Sequence, residues 1–157
     1  MSQINVGIGE LAVSKMKGEV IKTFGLGSCV AIVVLDPKSR AVGLIHVALP
    51  DSTINPEKAK MQPGYFADTG IPYLLREMSK LGSHPKGQGL IIKLIGGAQV
   101  MDPNERFNIG KRNILAIKKI LWSYNLAVVA EETGGHISRT VDVNVESGRV
   151  TISQGSS

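Results

Sequence analysis

The sequence predicts an α+β fold built largely from antiparallel sheet, with two main helices set among the strands. Apolar runs rich in Val and Ile recur toward both ends of the chain, each bounded by turn-forming residues. Two interior segments instead place apolar residues at helical spacing. The resulting order is several strands, a helix, a strand, a helix and three more strands. It lacks the regular strand–helix alternation of a parallel sheet.

Taken in order, "EVIKTF" (19–24), "CVAIVVL" (29–35) and "AVGLIHVAL" (41–49) read as strands. So do "LIIKLI" (90–95), "LAVVA" (126–130), "TVDVNV" (140–145) and "RVTIS" (149–153). In "TVDVNV" the valines alternate with Thr140, Asp142 and Asn144, so one face of that strand is wet. "ESGR" joins it to the last strand as a hairpin turn. The first helix lies in "ADTGIPYLLREMSKLG", where Ile71, Leu74, Leu75, Met78 and Leu81 share a face and Gly82 terminates. The second lies in "NIGKRNILAIKKILWSYN", with Ile114, Ile117, Leu121 and Tyr124 as its stripe and Asn108 as candidate cap. Residues 50–67 are polar and broken by Pro56 and Pro63, a long loop of the kind that is often functional or mobile.

At 157 residues the chain suffices for one core, so residues 1–157 are expected to form a single domain. No apolar run approaches the roughly 20 residues a membrane helix needs, and the first residues lack a basic-then-apolar secretory pattern. A cytoplasmic location is the expectation, and the single cysteine agrees with a reducing compartment. With only His46, His84 and His136 beside it, a Cys/His metal cage is hard to assemble. The net charge of +5 is scattered and aromatic residues are few, so no nucleic-acid stacking platform is read. A solvated basic face, or one that meets an acidic protein, is the simpler account.

That single cysteine stands in "TFGLGSCVAIVV", directly after a glycine turn. Two readings are open. Free cysteine is among the most buried residue types, and Cys29 fits an ordinary core position. It also fits a nucleophile presented at the end of a strand. If Asp36-Pro37-Lys38-Ser39 is a type I turn, Cys29 lies opposite His46; a loop two residues longer makes them diagonal neighbours on the same face. A three-residue loop would separate them. Close imidazole would take the thiol proton. Gly25 and Gly27 let the backbone bend, N–H groups near Ser28 and Cys29 offer an oxyanion its donors, and Thr23 could fix the histidine tautomer. "GLGSC" precedes a strand instead of opening a helix, so it is no dinucleotide fingerprint. "GGAQ" (96–99) follows a strand but lacks a phosphate-loop Gly-Lys-Ser/Thr.

These segments resemble the CheD family of chemoreceptor glutamine deamidases, over nearly the whole chain. "VGIGELAVSK" resembles the family's opening, "TFGLGSCVAI" its nucleophile segment and "GLIHVALPDS" its histidine segment. "LIGGAQVM" resembles the central Gly-Gly-Ala signature and "NIGKRN" the start of the last helix. One departure is Ser138 in "TGGHISRT", where a glycine is expected before Arg139. The resemblance implies a layered α/β/β sandwich and the triad of certain glutamine-deamidating toxins, with Cys29 as nucleophile, His46 as base and Thr23 as its orienter. It further implies a thioester route needing no cofactor or metal, receptor cytoplasmic helices as substrate, and a CheC-type phosphatase as partner. A regulatory binding module with little catalysis is the alternative role, and a papain-like protease the alternative enzyme. The Gly96-Gly97-Ala98 turn and the 50–67 loop are expected to line the substrate groove, unless the turn merely ends a core strand.

Overall fold

The segments "VAIVVL" and "VGLIHV" are apolar on both faces, and a strand of that kind needs cover on two sides. The computed structural model, which describes residues 2–99 and 108–154, supplies that cover with a second sheet on one side and helices on the other. The strands are β1 (Ser2–Asn5), β2 (Leu11–Ser14), β3 (Glu19–Leu26), β4 (Val30–Leu35) and β5 (Val42–Val47), then β6 (Ile91–Gly96), β7 (Val128–Thr133), β8 (Arg139–Asn144) and β9 (Val150–Gln154). The helices are α1 (Pro56–Met61), α2 (Ala67–Ser79) and α3 (Ile109–Ser123).

Two sheets form, ordered β1-β3-β8-β9 and β2-β5-β4-β6-β7. The pairs β1–β3 and β6–β7 run parallel, and the other neighbours run antiparallel. Side-chain alternation then sorts the central strands. Val30, Ile32 and Val34 of β4 pack with Ile71, Leu74 and Met78 of α2 and Ile117 and Leu121 of α3. Ala31 and Val33 point the other way, onto Ile21 of β3 and Val141 and Val143 of β8. Helices, five-stranded sheet and four-stranded sheet therefore stack as an α/β/β sandwich, as the resemblance implied.

Three local differences from the sequence expectation have physical causes. Strands β1 and β2 are only four residues long, and β1 is largely exposed, so neither leaves an apolar pattern to read. Residues 50–67 are not an open loop. The Asp51 carboxylate accepts from Thr53 N–H, and the Asn55 side chain caps α1 with Pro56 in its first turn. Asp68 of α2 then holds both the N–H (2.9 Å) and the hydroxyl (2.7 Å) of Ser52. Asn108 does precede α3, but it is left-handed (φ 45°) and its side chain makes no capping bond. Val100 and Met101 of the Gly-Gly-Ala segment lie outside the described residues.

The contact between β5 and α2 passes over Gly43, where an added Cβ would meet Val34 Cγ2 at 2.9 Å and Met78 Sδ at 3.0 Å. Gly43→Val should overfill this layer and cost roughly 1–3 kcal/mol. A lowered urea midpoint with an unchanged slope is the expected reading.

Candidate active site

The β4–β5 hairpin sets the register on which the site depends. Asp36 organises its turn by accepting from Lys38 N–H and the Ser39 hydroxyl, and Asp36 N–H bonds Ala41 O at 2.9 Å. The loop is the longer of the two favourable ones, and Ala31 pairs with His46. Cys29, one residue ahead of β4, is accordingly the diagonal neighbour of His46 on the same face. That face looks into the space between the sheets, where Cys29 is partly exposed and His46 is buried.

Thr23 reaches His46 from the opposite sheet. Its Oγ1 is 2.7 Å from His46 Nδ1 and 2.6 Å from the carbonyl oxygen of Val6. A carbonyl only accepts, so the single hydroxyl proton goes to Val6 and Oγ1 must accept from Nδ1–H. The imidazole is thereby held in the tautomer that leaves Nε2 bare. The backbone of His46 is pinned as well, with its N–H on Glu10 O (3.1 Å) and its carbonyl receiving Gly9 N–H (2.7 Å). Nε2 is buried and has no hydrogen-bond partner among the described residues. It is a base with its lone pair unspent.

Burial tunes both reacting groups in the same sense, toward neutrality. It lowers the His46 pKa to about 4 and raises that of the Cys29 thiol. Both shifts favour thiol and imidazole over thiolate and imidazolium.

The glycine turn before Cys29 begins at a bulge in β3, between Thr23 and Leu26, where Gly25 takes φ 65°. All three carbonyls that follow are occupied. Ala98 N–H bonds Gly27 O (2.8 Å), Asn113 Nδ2 bonds Ser28 O (2.9 Å), and Gly97 N–H bonds Cys29 O (2.9 Å). Neither Ser28 N–H nor Cys29 N–H is engaged among the described residues.

Gly96, Gly97 and Ala98, expected to line the substrate groove, lie directly against the Cys29 turn. All three are buried. A Cβ on Gly96 would run into the carbonyl oxygen of Cys29, and Gly96 also sits at φ 114°. These residues brace the Cys29 turn from behind, and a bulky residue at Ala98 would disturb that turn. Arg139 supports the same strand end through Glu132 (3.1 Å) and Gly96 O (3.4 Å), although Ser138 stands where a glycine was expected. Asn113, fully buried on α3, was not singled out in the sequence. The available signal was its position one turn before Ile117, which puts an amide in the apolar stripe.

A tautomer-locked, buried histidine on the face it shares with a cysteine after a glycine turn is an arrangement suited to thiol-dependent acyl transfer. The chain belongs to the CheD family, whose model, described as CheD chemotactic sensory transduction, matches residues 48–154. Relatives extend the match over nearly the whole chain. The Syntrophotalea carbinolica protein named probable chemoreceptor glutamine deamidase CheD is 52% identical over 98% of this chain and 94% of its own. The Anaeromyxobacter dehalogenans CheD 2 protein is 46% identical over 99% and 96%, and the Thermotoga maritima chemoreceptor glutamine deamidase CheD 42% over 94% and 88%.

The depressed histidine pKa makes a stability prediction. An unfolded histidine gains its proton near 6.5, whereas folded His46 resists protonation down to about 4. Its contribution is therefore complete above the unfolded value and is lost as pH falls from there toward 4. Roughly 2 kcal/mol should be gone by about pH 5. Urea unfolding at neutral pH and at about pH 5 should show this loss, and His46→Gln should remove most of that pH-dependent component.

Proposed function

We propose that this protein deamidates selected glutamines of chemoreceptor cytoplasmic helices to glutamate, through a thioester on Cys29. The observation that carries this reading is the Thr23–His46 bond, which leaves Nε2 free as a proton acceptor on a histidine that shares its face with Cys29. Cys29 Sγ attacks the side-chain carbonyl carbon of a glutamine while Nε2 takes the thiol proton. The tetrahedral oxyanion collapses, the C–N bond breaks, and the imidazolium proton leaves with ammonia. Water, losing a proton to Nε2, then adds to the γ-glutamyl thioester. The C–S bond breaks, giving glutamate and restoring the thiol. Neutral starting groups suit this sequence because each proton leaves by the nitrogen through which it entered.

The receptor helices would be met in the cytoplasm. Among the described residues no helix is long and apolar enough to cross a membrane. A CheC-type phosphatase is the partner that the family resemblance implies, and its binding is separable in principle from chemistry at Cys29. The free, locked base favours catalysis over a purely regulatory role.

Incubation with a receptor cytoplasmic domain should shift selected glutamine peptides by about one mass unit, the amide-to-acid change. Cys29→Ala should abolish the shift while keeping the fold and any phosphatase binding. Absence of the shift with receptors of the same organism would refute the deamidase reading, and backbone fragments would favour the protease.

Thr23 offers a graded test. Thr23→Val deprives Nδ1–H of its acceptor and should cut kcat roughly 10- to 1,000-fold, with KM little changed. Thr23→Ser should restore most of the activity. In the wild type, the acid limb of kcat/KM should fall well below the usual histidine range, because His46 stays unprotonated down to about 4.

A further inference from the structure

An asparagine with no exposed surface in the middle of α3 is a costly residue unless its amide is used. The Asn113 amide serves nothing in its own helix. Its Nδ2 donates to Ser28 O at 2.9 Å and to Ala48 O at 3.0 Å, which spends both of its protons. Two carbonyl acceptors also fix which way the amide points, because Oδ1 could satisfy neither. Oδ1 is left buried and without a partner among the described residues, so local stability alone does not account for this side chain.

The two carbonyls belong to the two catalytic segments. Ala48 stands two residues beyond His46, just past the end of β5. Ser28 O is the carbonyl of the peptide that carries the Cys29 N–H. Peptide bonds among the described residues are trans, and the C=O and N–H of a trans peptide point in opposite directions. Drawing Ser28 O toward α3 therefore turns Cys29 N–H away from α3. Ala98 acts the same way on Gly27 O, and so turns the Ser28 N–H.

Resting on the acyl-transfer reading above, we infer that Asn113 is the positioning residue of the oxyanion site. It orients the Ser28–Cys29 peptide so that Cys29 N–H meets the oxygen of the reacting carbonyl, and it ties that peptide to the histidine strand. Asn113 touches no substrate. It acts through the backbone of the nucleophile. Aspartate in its place would offer two carbonyls no donor, and alanine would leave both unpaired.

The test compares two reagents on Cys29 of the full chain. p-Nitrophenyl acetate acylates sulfur through a tetrahedral oxyanion, forming a C–S bond and releasing p-nitrophenolate. Iodoacetamide alkylates the same sulfur by displacing iodide, with no oxyanion. Asn113→Ala should slow acylation about 10- to 100-fold while alkylation changes less than about twofold. Cys29→Ala supplies the blank for reaction at lysines. Equal slowing of both reactions would overturn the inference, because Asn113 would then merely hold the sulfur in place. Unchanged acylation would overturn it as well. Should Asn113→Ala fail to fold, Asn113→Ser keeps one hydroxyl donor for one carbonyl, and the same split should appear with a smaller drop. A wild type that deamidates no receptor yet shows the split would remove the glutamine assignment and leave the oxyanion role standing.

Discussion

The register of the β4–β5 hairpin is the constraint on which the site rests. Side chains alternate along a strand, so a slip of one residue would carry His46 from the inter-sheet face to the helix face. There it would stand among Ile71, Leu74 and Ile117, with no polar partner and no thiol beside it. The turn that prevents the slip lies at the far end of the hairpin. Asp36 holds it through Lys38 and Ser39, and through Ser83 beyond α2 at 2.7 Å. The placement of His46 is thus decided partly by a carboxylate at the other end of the hairpin.

A second constraint comes from burying an imidazole between two apolar sheets. Such a group is expensive to charge and needs partners for its polar atoms. Thr23 satisfies one nitrogen across the sheets, and Val6 satisfies Thr23 in turn. The other nitrogen is left unsatisfied, and that is where a proton from the thiol can go. The same desolvation makes Nε2 reluctant to hold a proton at rest. A preformed ion pair would have needed a more polar surrounding than Ala31, Leu44 and Val141 provide.

Much of this was legible in the residues. Strands from Glu19 onward, both main helices and the Cys29–His46 face followed from alternation, helical spacing and a Pro-containing turn. What could not be read came from contacts distant in sequence. Gly96 is marked out by its neighbours in "GGAQ", but only the fold shows that its missing Cβ leaves room for Cys29 O. The bracing contacts that this turn makes with Cys29 could therefore not be read from the sequence. Asn113 was hidden for the same reason, since its partners lie 85 and 65 residues away. The 50–67 segment misled differently. Its prolines and polar residues are helix caps and first-turn residues, which in a sequence look like those of an open loop.

The turn before Cys29 shows how a backbone with little side-chain bulk can still be rigid. Gly25, Gly27 and Ser28 contribute almost no packing of their own, and a glycine-rich segment left to itself would sample many conformations. Order is imposed from outside, carbonyl by carbonyl, by Ala98, Asn113 and Gly97. Each bond points a carbonyl into the protein and leaves the attached N–H to face elsewhere. Preorganised donors stabilise a developing oxyanion only if they need not reorient when the charge appears. A turn made flexible by its sequence and rigid by its neighbours meets that requirement.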